Sequence, residues 1–405
     1  MIRAIDLEAL FKKAQGKTSS ECSTDAMNVP NTYVIKLTTR CNLKCQYCYV
    51  ENAPNLNSDM STDLFERILD QIKKNTRKFT IYLHGGEPFL RLDLIYALKK
   101  WIEDNSFQKN ITIMLQTNGT LIDGEIIDII KELNINVGIS LDGVNAKSNF
   151  ARISSNNDIT TKVIHNIREL LAKKIDIGIF SVLTSYNVNY VVDLFKYLTN
   201  IGVRNFVLKP LVLWGKAKEM NNIMASQDDM INCYKHLIDW LFYYNNTCDP
   251  RREVRERSLY WWLNGIVKSK KGYMCNCSPC GAGIQTVAIG PSGHVYICDQ
   301  FYGDYNYYIG NIDELSLSEI MNSAKDQIKN LRNIFEINEC KGCIWRYVCS
   351  GGCTASSYYF FGNMNSIAPE CEAYKQIFSY LDIKSQQMRS DFINTIKGGD
   401  KNGLC

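Results

Sequence analysis

The segment TYVIKLTTRCNLKCQYC (residues 32–48) decides the fold, because it joins a β-rich run to three closely spaced cysteines. Five further β-rich runs follow before residue 214, separated by stretches whose apolar residues recur at helical spacing. Strands that alternate with helices pair in parallel, with right-handed crossovers. The sequence therefore predicts an α/β fold, a partial (β/α)6 TIM-like barrel, with strands at 32–39, 79–84, 111–117, 137–142, 177–184 and 206–213.

Charge and hydropathy limit the classes of binding partner that we expect for this chain. Its 405 residues include 46 Lys and Arg against 42 Asp and Glu, a net charge of +4. This balance favours neither nucleic acid nor an anionic membrane as a partner. Apolar runs are far shorter than the roughly 18 residues of a membrane span. Asp6 and Glu8 interrupt the N-terminal apolar stretch, which is unlike a signal peptide. We expect a cytoplasmic protein.

Cysteine is the unusual residue type, with 16 cysteines against only four histidines. Without an export signal, disulfides are not expected, and thiolates in a reducing compartment usually bind metal. Cys41, Cys45 and Cys48 follow the first predicted strand with the spacing C-x3-C-x2-C. Three thiolates can hold three irons of a [4Fe–4S] cluster and leave the fourth open. Structural zinc is the alternative, although a fourth ligand is missing from the motif.

Later strands end in short motifs as well, on the edge where barrel enzymes build their active sites. These motifs are HGGEP (84–88), QTNG (116–119) and SLDG (140–143). Together with the cysteine motif, they resemble the radical SAM superfamily. The resemblance implies that S-adenosylmethionine (SAM) chelates the open iron. Its reductive cleavage then yields a 5′-deoxyadenosyl radical.

The same resemblance implies which side chains contact SAM. It places the methionyl amine near Gly85, Gly86 and Glu87, the ribose and carboxylate near Ser140 and Arg152, the site floor at Gln116 and Asn118, and the adenine near Tyr47. The alternative for each is a turn glycine or a hydrogen-bonded buried polar group. A Pro, His and Asp pattern of the family is absent, since residues 144–152 read VNAKSNFAR. No catalytic acid or base is therefore assigned.

The C-terminal cysteines resemble a SPASM domain, which carries two auxiliary [4Fe–4S] clusters. That resemblance implies one cluster on Cys280, Cys298 and Cys353, with Cys275, Cys277 or an open iron completing it, and another on Cys340, Cys343, Cys349 and Cys371. The string GHVYIC (293–298) also resembles the hairpin of that domain, which implies a turn at Ser292–Gly293. A zinc ribbon and disulfides are the alternatives.

These patterns divide the chain into five parts. We expect an N-terminal extension (1–31), the barrel (32–225), a helical bridging segment (226–272), the SPASM domain (273–375), and a C-terminal helix with a tail (376–405). The aromatic residues of the bridging segment either pack in the core or line a peptide groove.

The resemblance implies an enzyme with three [4Fe–4S] clusters and SAM. The leading hypothesis is maturation of a ribosomally synthesised (RiPP) precursor peptide. Hydrogen abstraction would give a carbon–carbon, ether or thioether crosslink, and an auxiliary cluster would accept one electron. Flavodoxin or ferredoxin is the expected electron donor. The alternative is an anaerobic sulfatase-maturing enzyme that oxidises Cys or Ser to formylglycine. A non-catalytic iron–sulfur electron carrier is a remote third.

Overall fold

The structure is a computed structural model that describes residues 30–50, 57–152, 159–220, 222–268, 275, 277–329 and 331–386. Nearly all of the predicted N-terminal extension and the end of the tail lie outside these residues. One sheet of ten strands runs in the order β10-β9-β8-β1-β2-β3-β4-β5-β6-β7. Its strands are β1 (Thr32–Thr38), β2 (Phe79–Gly85), β3 (Ile111–Thr117), β4 (Asn136–Ser140), β5 (Ile177–Leu183), β6 (Asn205–Pro210), β7 (Arg255–Glu256), β8 (Thr286–Ile289), β9 (His294–Tyr296) and β10 (Tyr308–Asn311).

The α-helices cover the barrel strands and then form the C-terminal segment. They are α1 (Thr62–Asn75), α2 (Leu92–Asp104), α3 (Gly124–Glu132), α4 (Ile159–Ala172), α5 (Val191–Ile201), α6 (Gln227–Thr247), α7 (Arg257–Lys268), α8 (Leu317–Ser323), α9 (Lys325–Lys329), α10 (Asn338–Lys341), α11 (Arg346–Cys349), α12 (Thr354–Phe361) and α13 (Cys371–Ser385). In the described part of the chain, no helix is long and apolar enough to cross a membrane.

The six predicted barrel strands are confirmed as β1–β6, and each pairs in parallel with its neighbour. Their core residues are completely buried, as at Ile35 of β1 and Leu83 of β2. The sequence did not predict β7, a two-residue strand parallel to β6. Two residues are too few to show a period, so tertiary pairing alone defines this strand.

Helix α1 illustrates how the barrel helices form. Ser61 caps its first turn by accepting a hydrogen bond from the Leu64 amide at 3.2 Å. Its apolar residues recur at helical spacing and face the sheet; they are Leu64, Phe65, Ile68, Leu69 and Ile72. Burial of this stripe is the main source of helix stability.

The cysteine-rich segment continues the barrel sheet on the far side of β1. Strand β8 pairs in parallel with β1, and β8, β9 and β10 form an antiparallel meander. The predicted hairpin is confirmed, with Gly293 at φ +76°. A Cβ atom there would lie 2.4 Å from Asn311 Oδ1, so glycine is required. This extension brings Cys298, just after β9, close to the cysteine loop that follows β1.

Helix α13 packs on the bridging helices α6 and α7. Trp262 of α7 is 8% exposed and contacts the Tyr374 and Phe378 rings at centroid distances of 5.3 and 5.1 Å. The packing interpretation is therefore confirmed for this tryptophan. Its neighbour Trp261 instead lines cavities on the inner side of the barrel.

Candidate active site

The three cysteines of the first motif lie in the loop after β1, at the carboxyl end of the parallel sheet. The Cys48 amide donates to the Cys45 carbonyl oxygen at 3.2 Å, and Cys41 interacts electrostatically with both thiols. Burial raises the pKa of Cys45. The Arg152 charge opposes this shift, and Cys48 adds to it. The loop thus gathers three thiols at the barrel mouth, with a cation beside them.

Gly85 and Gly86 let the end of β2 pack backbone to backbone against this cysteine loop. The Gly86 amide donates to the Thr38 carbonyl oxygen at 2.8 Å. A Cβ atom would lie 2.2 Å from Thr38 O at Gly85, where φ is +138°, and 2.0 Å from Arg40 O at Gly86. Both positions therefore exclude any side chain. The glycines have a structural role here, and a SAM contact from their backbone stays a prediction.

The Glu87 carboxylate is completely buried and joins β2 to the end of β3. Its Oε1 accepts from Thr117 Oγ1 and its Oε2 from the Asn118 amide, both at 2.8 Å. Burial raises its pKa to about 7 despite these hydrogen bonds. A direct contact between Glu87 and the SAM ammonium group stays a prediction, because a carboxylate oxygen can accept more than one hydrogen bond.

The QTNG motif at the end of β3 contacts both the cysteine loop and strand β4. Asn118 Nδ2 lies 3.7 Å from Cys41 Sγ, which brings this amide to the cysteine loop. Gln116 Nε2 donates to Ser140 Oγ at 2.7 Å, and its Oε1 accepts from Tyr82 Oη at 2.9 Å. The structure thus joins Gln116 and Ser140 into one chain of hydrogen bonds across β2, β3 and β4.

Tyr47 connects Arg152 to the carboxylate of Asp142, a residue that the sequence analysis did not select. The Tyr47 hydroxyl donates to Asp142 Oδ2, and Arg152 Nη1 donates to Tyr47 Oη at 2.8 Å. Asp142 Oδ1 also accepts from the Val182 amide at 2.9 Å. Burial raises the pKa of Asp142, and the Arg152 charge opposes that shift. This buried group fixes Tyr47 beside the cysteine loop.

A second buried polar group was missed altogether. Lys36 of β1 is completely buried, and its Nζ lies 2.7 Å from Asp299 Oδ1 and 3.1 Å from Tyr49 Oη. Tyr49 Oη donates to Asp299 Oδ2 at 2.7 Å. Burial alone would raise the pKa of Asp299, but the Lys36 ammonium and His84 lower it well below its usual range. A lysine within the apolar strand TYVIKLTT was the available signal.

Five C-terminal cysteines line a cavity of about 160 Å³ beside the barrel: Cys275, Cys280, Cys298, Cys349 and Cys353. Burial raises the pKa of Cys353 to about 11, and Cys275 and Cys280 raise it further. Cys298 likewise interacts with Cys275 and Cys280. Lys209 and Trp261 also line this cavity. We call Cys275, Cys280, Cys298 and Cys353 the first auxiliary group.

A second set of four thiols lines a separate small cavity: Cys340, Cys343, Cys349 and Cys371. Burial raises the pKa of Cys349 to about 12, with Cys371 and Cys343 adding to the shift. We call this set the second auxiliary group. The turn CSGGC (349–353) connects the two groups through three consecutive left-handed residues, Ser350, Gly351 and Gly352. This turn directs Cys349 to one group and Cys353 to the other.

Cys277 differs from these thiols, because its sulfur is in a disulfide. The expectation that disulfides are absent therefore fails at this residue, and Cys277 does not offer a thiolate in this structure. Among the residues that the structure describes, no three Cys, His, Asp or Glu side chains converge closely enough to hold one metal ion.

Comparisons with known families match two parts of the chain. Residues 35–198 match the model of the radical SAM superfamily. Residues 280–344 match SPASM, described as an iron–sulfur cluster-binding domain. The first range spans the cysteine loop and most of the barrel, and the second contains four of the cysteines in the two auxiliary groups.

Individual proteins are similar over most of the chain. A cysteine-type anaerobic sulfatase-maturating enzyme of Clostridium perfringens is 26% identical over 358 residues, which cover 84% of this chain and 93% of that one. The structure of anSMEcpe with bound AdoMet and Cp18Cys peptide matches at 25% identity and a TM-score of 0.76, covering 91% and 99% of the two chains. SuiB of Streptococcus suis, bound to precursor peptide SuiA, matches at 18% identity and a TM-score of 0.64, covering 85% and 76%, which shows a shared fold.

The donor groups of the structure fit the cofactors of such enzymes. Three thiols converge at the barrel mouth, and two further groups of four thiols lie in the C-terminal segment. Gln46 Oε1, within the cysteine loop, is buried without a hydrogen-bond partner among the described residues. Motifs, geometry and similarity agree: this chain belongs to the radical SAM superfamily and carries a SPASM domain, with three [4Fe–4S] clusters and SAM as cofactors.

Proposed function

We propose specific ligands for the three clusters. Cys41, Cys45 and Cys48 hold the SAM-binding cluster. The first auxiliary cluster takes Cys275, Cys280, Cys298 and Cys353, and the second takes Cys340, Cys343, Cys349 and Cys371. The two shared cavities support these sets, and the disulfide at Cys277 favours Cys275 as the fourth ligand of the first auxiliary cluster.

SAM is assigned to the barrel mouth beside the cysteine loop. Its methionyl part is held by the backbone of Gly85 and Gly86, with Glu87 and Asn118 fixing that edge. Arg152 is the buried cation next to Cys45, and it can form a charge-assisted hydrogen bond with the SAM carboxylate. The adenosyl part is assigned to the polar residues that remain at the mouth, which are Tyr47, Gln116 and Ser140.

The reaction we propose is a two-electron oxidation of one residue in a peptide or protein. When bound, SAM supplies the 5′-deoxyadenosyl radical, and the auxiliary clusters supply a one-electron acceptor. The substrate thus loses one hydrogen atom, then one electron and one proton. The protein has to hold the substrate, exclude water and accept that proton.

The contact between Tyr49 and Asp299 carries this proposal. Tyr49 follows Cys48 directly and Asp299 follows Cys298 directly, so their 2.7 Å hydrogen bond joins the SAM-cluster loop to the first auxiliary group. A substrate residue beside this contact lies between the radical source and an electron acceptor. The Asp299 carboxylate lies at this contact, and because Lys36 lowers its proton affinity it accepts the proton only after the electron has left, when the oxidised substrate is strongly acidic.

Formylglycine formation from a cysteine or serine is the first candidate for the product. The likeness over most of the chain to a cysteine-type sulfatase-maturating enzyme supports it. A crosslink in a ribosomally synthesised peptide is the second candidate. The fold shared with SuiB, whose structure holds a precursor peptide, supports a peptide-binding barrel of this kind. An electron donor such as flavodoxin or ferredoxin is proposed for both.

The test uses anaerobically reconstituted, reduced protein with SAM and a cysteine peptide of sulfatase type that is deuterated at Cβ. Deuterium transferred to 5′-deoxyadenosine, with a carbonyl-trapping reagent capturing the peptide product, supports formylglycine formation. Loss of two hydrogens without an aldehyde indicates a crosslink or another oxidation. Cleavage of SAM with no change in any Cys- or Ser-containing peptide would refute this substrate class.

Two variants connect the reaction to the site. Asp299→Asn should still cleave SAM but should slow peptide oxidation by about 10²-fold or more, as loss of a general base does. Asp313→Asn is the matched control, since this exposed aspartate lies on the same extension and pairs with Arg67 at the surface. Equal activity of both variants would exclude Asp299 as the proton acceptor.

A further inference from the structure

The inside of the barrel contains a cavity of about 160 Å³. It adjoins the cavity of the first auxiliary group, because Arg257 and Trp261 line both. Apolar and aromatic side chains line its middle: Tyr82, Met114, Phe180, Val207 and Trp261. Polar residues line the end at which the strands begin: Asn136, Asp176, Asn205 and Arg255. An apolar cavity of about 150 Å³ is large enough to bind benzene, so this one can hold a large apolar side chain.

This cavity exists because two neighbouring strands carry glycine on their inner face. Side chains from alternate strands usually fill the inside of a small barrel in layers. Gly138 of β4 and Gly178 of β5 are register partners in the sheet, and both line the cavity. Neither contributes a side chain to such a layer, so the protein itself leaves this volume unfilled.

The two glycines differ in what surrounds them. At Gly138, a Cβ atom would lie 2.4 Å from Gln116 Oε1, so glycine makes room for that side chain. At Gly178, a Cβ atom would meet nothing closer than Asn205 O at 3.9 Å. Gly178 has no positive φ, and β5 pairs with β4 and β6 without a register shift. Glycine inside a strand weakens it and marks a bulge, a close backbone or the approach of a ligand. At Gly178 the ligand is the remaining reason.

The cavity lies near the contact that carries the proposed function. Tyr82 in its wall donates to Gln116 Oε1 at 2.9 Å, and its ring lies 5.6 Å from that of His84. The His84 ring lies 6.4 Å from that of Tyr49, which binds Asp299. Two ring contacts thus join the cavity to the Tyr49–Asp299 pair. An extended peptide advances about 3.5 Å per residue, so a side chain within three positions of the oxidised residue can reach the cavity.

We propose that this cavity binds one large apolar side chain of the substrate peptide, of the size of phenylalanine or leucine, within three positions of the oxidised residue. The apolar walls favour such a side chain because binding removes it from water. Gly178 then determines which side chain fits, since a larger residue there would occupy the same volume. The inference rests on the proposed function, which places a peptide at the Tyr49–Asp299 contact.

The first experiment varies the substrate. Reconstituted, reduced holoprotein with SAM is given a cysteine peptide of sulfatase type. Each of the three positions on either side of the cysteine carries in turn phenylalanine, alanine or aspartate. At one position, kcat/KM should be about tenfold or more higher with phenylalanine than with alanine. Equal values at every position, or a preference for aspartate, would overturn the proposal.

The second experiment fills the cavity from the protein side. Gly178→Leu should lower kcat/KM for the phenylalanine peptide by about tenfold or more, and should keep that for the matched alanine peptide. Gly124→Leu is the matched control, because Gly124 begins α3 and a Cβ atom there meets nothing within 4 Å. It lies outside the cavity and should leave the ratio of the two values unchanged. An unchanged ratio in Gly178→Leu would overturn the proposal.

Binding distinguishes failure of this inference from failure of the proposed function. Fluorescence anisotropy of the fluorescein-labelled phenylalanine peptides gives their Kd without turnover. Binding that weakens about tenfold or more in Gly178→Leu, with no peptide oxidised, would support the cavity and refute the proposed function. Oxidation without any dependence on the neighbouring side chain would refute this inference alone. If Gly178→Leu does not hold iron, the peptide series with the parent protein decides the question.

Discussion

In the barrel, Ile35, Leu83 and Ile139 are completely buried between long parallel strands and covering helices, whereas residues 331–386 build their centre around five cysteines. The helices α10 and α11 in that segment have only four residues each. Regular apolar spacing stabilises the barrel, while the C-terminal segment combines its thiol groups with apolar residues, such as Phe378 of α13, that pack on the bridging helices. We therefore expect the barrel to keep its structure without metal and the C-terminal segment to depend on it.

Removal of iron should produce the largest difference between the two regions. Anaerobic chelation is expected to speed amide exchange in residues 331–386 by more than about tenfold, because cluster binding supplies the folding energy there. The amides of β2–β5 should keep their protection. Hydrogen exchange with mass spectrometry measures both regions in one sample. Equal protection of residues 331–386 with and without iron would contradict the comparison.

A core substitution tests the barrel side. Phe195 is completely buried, and its ring lies 4.4 Å from that of Phe206. Phe195→Ala should lower the free energy of unfolding of the barrel by about 3–5 kcal/mol. The loss should be the same in the iron-loaded and chelated protein, as measured by native-state exchange of the β5 and β6 amides. A loss that depends on iron would mean that the clusters also hold the barrel.

The join between the two regions should be sensitive to acid through His84. Burial, followed by the nearby Lys36 charge, lowers the pKa of His84 to about 4. The unfolded chain therefore binds the proton first, and stability is present above pH 6.5 and decreases as the pH falls towards 4. Between pH 7 and pH 5.5, the parent protein should lose about 1 kcal/mol more than His84→Gln. Anaerobic thermal unfolding at both pH values measures this. Parallel losses in the two proteins would show that His84 is protonated when folded.

Helix caps should give the smallest effects, and they compare the two regions directly. Ser61 caps α1 in the barrel, and Ser316 forms a capping box with Glu319 at α8. Replacing either serine with alanine should cost about 1 kcal/mol. The measurement is thermal unfolding together with the iron content, which neither variant should change. Iron loss in Ser316→Ala would show that α8 supports the clusters. It would contradict the division of the molecule into two separately stabilised regions.

The amino-acid pattern was sufficient for the barrel strands and the cysteine loop. Strand and helix periods follow from local burial, and the spacing of the first three cysteines is short, so both are visible in the chain itself. The hairpin at Gly293 and the two sets of C-terminal cysteines were predicted from the resemblance to a SPASM domain; the structure confirms the hairpin.

Only the tertiary structure decided the contacts between distant residues. Lys36 and Asp299 are far apart in the chain, and they meet because β8 pairs with β1. Glu87 binds the end of β3 because the ends of β2 and β3 lie side by side in the sheet, and Cys277 is in a disulfide in this structure. Arg332 shows no pattern in its own neighbourhood, and only the fold brings its guanidinium to the Gly351 and Gly352 carbonyl oxygens of the CSGGC turn. Such partners are far apart in the sequence, so the local periodicity of apolar residues cannot reveal them.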